Sequence, residues 1–375
     1  MDTIKIGIVG AGQIGKAHVE EYMDIPGAEL VAICDINLEE ARRVAVKYGI
    51  PSVYADYREM LRQEELAAVD VCLHNNYHMP VTTAVLEAGK HVYCEKPIAG
   101  SYKDGLQMVE AAKRCGKLLH IQLAHLYDKE TRAAKQLIDA GKLGKLYHAR
   151  STGFRRRNRP YVDGYGTAAF TRKETAGGGA LYDMGVYHIA RMLYLMGNPK
   201  VERITGRTYQ EMPMDEERRV RSGFDVEELA AGLVFLEGGI TLDIIESWSL
   251  QLGGLEGSSI VGSDGGIRLS GAVSDRETNS FSYHTTIADL DMDCTVNLER
   301  ADWRQRMLSP FPDAYASSQH HWISALQGQV PLLPTADIAL NTMLISEGLY
   351  LSHQLGREVS ADEVAQGSKS TSIVL

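Results

Sequence analysis

Near its amino end the chain runs through Ile4-Lys5-Ile6-Gly7-Ile8-Val9 into Gly10-Ala11-Gly12-Gln13-Ile14-Gly15, and then into a helix-like segment ending near Met23. A buried strand that turns through glycines into a helix leaves few folds open. Gly10 permits a tight turn, Gly12 lets the backbone approach a pyrophosphate, and Gly15 lets helix and strand pack closely. The first N–H groups of the helix offer a partial positive charge to phosphates. A second strand-like run, Leu30 to Cys34, ends at Asp35, 20 residues past Gly15. A carboxylate there accepts hydrogen bonds from an adenosine ribose. No arginine follows until Arg42, so a 2′-phosphate would meet a like charge without compensation. The stretch predicts a dinucleotide site that takes NAD in preference to NADP.

The alternation of strand and helix continues. Residues 38–48 suit an amphipathic helix and residues 57–62 a shorter one. Strand-like Val69 to Leu73 is followed by His74-Asn75-Asn76-Tyr77-His78-Met79-Pro80 and a helix from about Val81 to Ala88. Strand Val92 to Cys94, helix Tyr102 to Cys115 and strand Leu118 to Leu123 complete the series. Such alternation implies a parallel sheet with helices on both faces. Glu95-Lys96-Pro97 then falls at the carboxyl end of a strand, where open α/β sheets bind ligands. Pro97 biases Lys96 toward an extended backbone and gives its amine a defined starting point.

Beyond residue 124 the pattern changes. Tyr147–Phe154, Arg203–Tyr209, Ala230–Leu236, Ile240–Trp248, Ser258–Gly262 and Ile267–Ser270 are strand-like, with turn sequences at Glu237-Gly238-Gly239 and Ser263-Asp264-Gly265-Gly266. The expected fold is α/β. A doubly wound parallel sheet of Rossmann type occupies 1–124, and an α+β domain with a largely antiparallel open sheet occupies 125–375.

A chain of 375 residues is long enough for two such domains. Its formal net charge of −10 argues against a nucleic-acid partner. No apolar run reaches the about 18 residues that a membrane span needs, and the opening MDTIKIGIVGAG lacks the basic and apolar regions of a signal peptide. Five widely spaced cysteines without a CxxC pattern indicate reduced thiols and a cytoplasmic location. Cys34, Cys72 and Cys94 lie in apolar runs, as small hydrophobes do.

Downstream of the glycine turn, Asn75 and His78 form N-x-x-H, and residues 88–97 read A-G-K-H-V-Y-C-E-K-P. Together these resemble the Gfo/Idh/MocA family of nicotinamide-dependent oxidoreductases. Residues 137–146 are similar to the helix and turn that open that family's second domain, residues 177–199 to its glycine-rich active-site helix, and residues 321–359 to its closing helices. The resemblance implies hydride transfer between NAD(H) and a secondary hydroxyl or ketone of a sugar, polyol or glycoside. It also implies a homodimer or homotetramer formed through the open sheet. The alternative is a glycosidase-like or epimerase-like enzyme whose bound NAD is oxidised and re-reduced within one turnover; a sensor with a decayed site is a third. Gly10, Gly12, Gln13, Ile14, Gly15, Asp35, Asn75, His78, Glu95 and Lys96 are assigned to the cofactor, with Lys96 also catalytic.

Gly177, Gly178 and Gly179 should end a loop, with a helix from Ala180 to Met196. On a regular helix Asp183 and Tyr187 share a face, and His188 lies about 140° from Asp183. The family commonly has D-x-x-x-H; here Tyr187 stands in the His position, with His188 one step later. Tyr187 is therefore the expected general acid/base, with Lys96 lowering its pKa, and Asp183 and His188 complete the catalytic set. The plainer roles are a loop-holding Asp183, a core Tyr187 and a structural His188. Gln122, His125 and Tyr127 follow the last parallel strand and are candidates for the sugar site. The run Arg155-Arg156-Arg157-Asn158-Arg159 suits a substrate phosphate or carboxylate, or more ordinarily a solvated loop or subunit contact. His320-His321 has no carboxylate or cysteine at ligand spacing, and adjacent side chains diverge on a helix, so no metal is expected.

Overall fold

The computed structural model describes residues 3–63, 65–270 and 280–373. It divides into two compact units, Met1–Gln122 with Pro310–Asp337 and Ser370–Leu375, and Leu123–Ser309 with Ile338–Lys369. The expected cut after residue 124 falls beside the first boundary. It misses the return of 310–337 and 370–375 to the first unit.

The first unit holds β1 (Ile4–Val9), α1 (Gln13–Met23), β2 (Ala28–Cys34), α2 (Leu38–Tyr48), β3 (Ser52–Tyr54), α3 (Tyr57–Gln63), β4 (Ala68–Val71), α4 (Asn75–Glu87), β5 (His91–Cys94), α5 (Tyr102–Cys115) and β6 (Leu119–Ile121). The strand order is β3-β2-β1-β4-β5-β6, parallel throughout. The reversal of direction at β1 and β4 is the place where doubly wound sheets bind ligands. Ile6, Ile8, Ile33 and Ala68 are fully buried in its core.

Helix α4 departs from expectation. It begins at Asn75 rather than Val81, so N-x-x-H lies on its first turns and Pro80 lies inside it. Proline has no N–H to give the carbonyl of Asn76. The Ile373 N–H takes that carbonyl instead, at 3.0 Å. Thr371 donates its N–H to Asp104 Oδ2 at 2.8 Å, so residues 371–373 bind across two helix amino ends.

The later elements are α6 (Lys129–Asp139), β7 (Leu146–Phe154), α7 (Lys173–Ala176), α8 (Val186–Leu195), β8 (Val201–Tyr209), α9 (Glu216–Ser222), β9 (Leu229–Leu236), β10 (Ile240–Ser247), β11 (Ser259–Gly262), β12 (Gly265–Arg268), β13 (Ser280–Ile287), β14 (Leu290–Asn297), α10 (Leu298–Leu308), α11 (Ser318–Leu326), α12 (Thr335–Leu355), β15 (Val359–Ser360) and α13 (Ala361–Gly367). Of these, α11 belongs to the first unit. The second unit is built on a nine-stranded sheet, β14-β13-β12-β11-β7-β10-β9-β8-β15. Its pairs are antiparallel except β7 with β10.

The helix expected from Ala180 is not regular. Leu181–Gly185 forms a π turn before α8. Its i to i+5 bonds bring the fifth residue, not the fourth, back toward the starting face. That corrects the placing of His188 about 140° away from Asp183.

Candidate active site

In the first unit the glycine turn has the shape of a dinucleotide cradle. Gly10 has φ +109°, and a Cβ on it would lie 2.2 Å from the Cys72 carbonyl oxygen. A Cβ on Gly15 would lie 1.9 Å from the Gly10 carbonyl oxygen, while one on Gly12 would meet no other atom within 4 Å. The two outer glycines thus permit close packing, and the middle one keeps the mouth open. No side chain caps the amino end of α1, and Gly12, Gln13 and Ile14 are exposed there. Asp35 accepts the Ala11 N–H at 2.7 Å on Oδ2 and the Asn37 N–H at 2.8 Å on Oδ1. Its carboxylate is held beside the turn, as a ribose acceptor must be. These residues fit NAD.

Lys96 is half-buried at the end of β5, and its peptide bond to Pro97 is cis. Asn75 is half-buried at the start of α4. Two expected cofactor contacts are turned inward. His78 is fully buried, with Nδ1 2.9 Å from the Pro97 carbonyl oxygen and Nε2 3.0 Å from that of Leu73. Its ring clasps the loop after Lys96 to the start of α4. Glu95 is buried with Oε1 2.9 Å from His18 Nε2, while Oε2 accepts the Lys96 N–H at 3.0 Å. Neither side chain points to solvent, so their work is to shape the lysine loop. Gln122, at the end of this unit, keeps a buried Oε1 without a hydrogen-bond donor among the described residues.

In the second unit the π turn and α8 lean on the end of β10. Asp183 Oδ2 accepts from Trp248 Nε1 at 2.9 Å, from the Tyr165 hydroxyl at 3.3 Å and from Arg155 Nη1 at 3.4 Å. Burial, reinforced by the Asp183 charge, raises the Tyr165 phenol pKa well above its usual value, so this hydroxyl stays protonated. His188 Nδ1 lies 2.9 Å from Glu246 Oε2, and the Ser151 hydroxyl donates to Glu246 Oε1 at 3.1 Å. Glu246 is fully buried.

The spacing explains why one helix serves both contacts. Glu246 and Trp248 are two residues apart, on one side of an extended chain and about 6.6 Å along it. Asp183 and His188 are five residues apart, up to about 7.5 Å along a helix axis. Through the π turn both face the strand. Gly153 on β7, opposite Glu246 in register, leaves the room: a Cβ there would lie 1.8 Å from Glu246 Oε2 and 2.5 Å from His188 Nδ1.

Tyr187 stacks on His125 with ring centroids 5.1 Å apart, and His125 lies 5.3 Å from the His188 ring. Tyr127 is buried. The structure therefore gathers the rings of His125, Tyr187 and His188, and turns Asp183 and His188 toward the end of β10. Three arginines of the run are taken up within the unit, while Arg156 is exposed: Arg155 meets Asp183, Arg157 meets Asp163 at 3.5 Å, and Arg159, fully buried, pairs with Asp163 and Glu228 at 2.8 Å each. In the first unit, His321 Nε2 accepts the Leu333 N–H at 2.9 Å and its Nδ1 faces the Ala314 carbonyl, so this ring is a structural clasp.

Glu246 and Trp248 were missed from sequence, although a signal exists. Glu246 falls two residues after Ile244 and four after Leu242, on the buried face of β10. A carboxylate at an apolar-face position asks for a buried partner.

The family profile for an oxidoreductase family with an NAD-binding Rossmann fold, Gfo/Idh/MocA, matches residues 4–123, and the profile of the family's C-terminal domain matches residues 131–268. The chain is 34% identical over 210 residues to D-glucoside 3-dehydrogenase of Escherichia coli, covering 56% of this chain and 58% of that protein. It is 35% identical over 153 residues to inositol 2-dehydrogenase of Salmonella typhimurium, covering 40% and 46%. The matches span about half the length of these curated relatives. Among solved structures, levoglucosan dehydrogenase in complex with NADH and levoglucosan superposes with a TM-score of 0.77 at 21% identity, over 96% of this chain and 100% of that one. An NAD-binding oxidoreductase of Klebsiella pneumoniae superposes with a TM-score of 0.78 at 21% identity, over 96% and 99%. At these identities the superpositions establish the fold, and the two profiles establish the family: the chain belongs to the Gfo/Idh/MocA oxidoreductases.

Proposed function

We propose that the protein oxidises a secondary hydroxyl of a sugar, polyol or glycoside with NAD, and that His188 is the base that takes the hydroxyl proton. The observation that carries this reading is the contact from His188 Nδ1 to the buried Glu246 carboxylate. An ionised carboxylate only accepts, so Nδ1 carries the proton and the neutral ring presents its lone pair at Nε2. A base oriented by a buried carboxylate is a recurring design for proton transfer. Bound NAD supplies the hydride acceptor. Gly10, Gly12 and the amino end of α1 would hold its pyrophosphate and Asp35 its ribose. Asp183, fixed by three donors, would accept from a substrate hydroxyl, and Lys96 is the proposed catalytic amine of the first unit. Tyr187 and His125 would pack along the sugar, with Gln122 and Tyr127 as further candidate contacts. The substrate class is supported by relatives named for glucosides and inositols.

The test is a panel of inositols, hexoses, glycosides and sugar acids with NAD, read as reduced-nicotinamide absorbance. Net reduction on a free sugar or polyol is expected. Turnover without net reduction would replace this reading with the glycosidase-like or epimerase-like alternative. A homodimer or homotetramer is supported by exposed Ile287 and Leu290 on the β13–β14 hairpin, and sedimentation would test it. A cytoplasmic location is supported by five free cysteines. Among the described residues, no helix is long and apolar enough to cross a membrane.

A further inference from the structure

Behind Lys96 the first unit carries a cluster of buried ionisable groups that the reaction does not consume. His18 on α1 is 3% exposed, Asp70 on β4 0% and Glu95 5%. His18 Nδ1 lies 2.9 Å from Asp70 Oδ2, and Nε2 lies 2.9 Å from Glu95 Oε1. The other oxygen of each carboxylate is also engaged. Asp70 Oδ1 accepts from the Cys72 thiol at 3.3 Å, and Glu95 Oε2 accepts the Lys96 N–H at 3.0 Å. The chain of contacts therefore runs from α1, whose amino end is the glycine turn, through one imidazole and one carboxylate to the backbone of Lys96.

Ionised carboxylates have only lone pairs to offer, so bonds at both ring nitrogens require a proton on each. The groups facing the ring are Asp70 on β4 and Cys72 just after it, and Tyr93 on β5 and Glu95 just after it; Tyr22, on the same helix as His18, sits against Asp70. Burial by itself pulls an imidazole down. The Cys72 sulfur and the Asp70 carboxylate outweigh it and hold His18 well above its usual range. Burial likewise pushes Glu95 up, but its bond to His18 brings it below the usual carboxylate range. His18, Asp70 and Cys72 also have donor atoms within 4.8 Å of one another, the spacing of a metal site. Those atoms already bond one another, and the ring's second nitrogen is spent on Glu95.

We propose that His18 is a positioning residue for Lys96: a buried imidazolium, clamped between Asp70 and Glu95, that fixes the lysine's backbone to the helix carrying the dinucleotide turn. This rests on the reading of Lys96 as the catalytic amine. A misplacement of about 1 Å is enough to cost a reaction roughly 100-fold, and the clamp removes that freedom without touching substrate.

The first test needs no variant. Long-range ¹H–¹⁵N spectra of the intact protein should show both His18 ring nitrogens protonated and the ring failing to titrate between about pH 6 and 9. A neutral ring with one bare nitrogen would overturn the proposal. The second test compares His18→Asn, Glu95→Gln and Lys96→Ala with the parent, using only protein that is folded by circular dichroism. His18→Asn and Glu95→Gln should each lower kcat by roughly 10- to 100-fold, leave KM for the sugar within a few-fold, and displace a limb of the kcat pH profile. A lower melting temperature with kcat and pH profile unchanged would reduce the cluster to a structural role and overturn the proposal. If Lys96→Ala turns over near the parental rate, the underlying reading fails and the proposal falls with it. If Lys96→Ala is dead while His18→Asn is normal, the lysine stands and the clamp alone is refuted.

Discussion

Replacing Gly153 by alanine adds one methyl group between Glu246 and His188. The new Cβ would lie 1.8 Å from Glu246 Oε2 and 2.5 Å from His188 Nδ1. To reach even a 3.0 Å contact the carboxylate has to retreat by about 1.2 Å. It has little room to do so, because Glu246 is fully buried and its other oxygen is bonded to Ser151. Gly153 is also paired with Glu246 in the ladder of β7 and β10, so its backbone resists moving instead. Overpacking of this kind costs about 1–3 kcal/mol of stability. The proton-transfer geometry should suffer more, since displacing His188 by about 1 Å is expected to lower kcat roughly 100-fold. Thermal unfolding and reduced-nicotinamide absorbance at saturating sugar and NAD measure the two effects separately. A Gly153→Ala protein that turns over at the parental rate, with an unchanged pH profile, would refute the coupling of His188 to Glu246 as the basis of catalysis.

His188→Ala should damage turnover more than Tyr187→Phe, because the π turn aims His188 at the carboxylate and leaves Tyr187 stacked on His125; the opposite order in matched kcat values would return the proton-transfer role to Tyr187. NAD should be preferred to NADP by at least about tenfold in kcat/KM, since Asp35 sets a carboxylate where a 2′-phosphate would sit. Asp35→Ser should erode that ratio, and equal use of NADP by the parent would defeat the charge argument. Burial pulls His321 down to about 4 from an ordinary 6.5. Between those pH values the unfolded chain binds a proton that the native ring refuses, so stability falls as pH drops through the window, by up to about 3 kcal/mol. Melting curves from pH 7 to 4.5 should show this loss and His321→Gln should flatten it; an identical slope in the variant would exclude the ring as its source.

The cofactor half of the site was legible because its constraints are local. Gly10, Gly12 and Gly15 act within six residues of one another, and strand–helix alternation is visible in hydrophobic spacing alone. The proton-transfer half was not. A periodicity of 100° per residue cannot register a turn that widens by one residue, so His188 was read onto the wrong face. Its partner Glu246 lies 58 residues away in sequence. The arginine run read as a solvated loop or subunit contact, or an anion site, because Asp163 and Glu228 meet it only in the fold. Strands β13 and β14 are mostly exposed, and the alternation of Leu290, Met292, Cys294 and Val296 with polar residues, a period-2 signal for β14, was passed over. Glu95 and His78 sat in the right motif, but a motif does not say which way a side chain turns.

The carbonyl that Pro80 leaves without its helical partner gives residues 370–373 the character of a tethered peptide ligand. Asn76 offers an acceptor and Asp104 a carboxylate, and the bound segment answers with two N–H groups and the Thr371 hydroxyl. Gly100 is the floor of this groove, since a Cβ there would strike Thr371 Oγ1 at 2.2 Å. Three hydrogen bonds would hold a free tetrapeptide only weakly, but a covalent tether presents it at an effective concentration in the millimolar range. The groove should therefore behave as a receptor in its own right: once the chain is cut after Lys369, a synthetic peptide of the missing residues has a defined place to dock and a vacant carbonyl to satisfy.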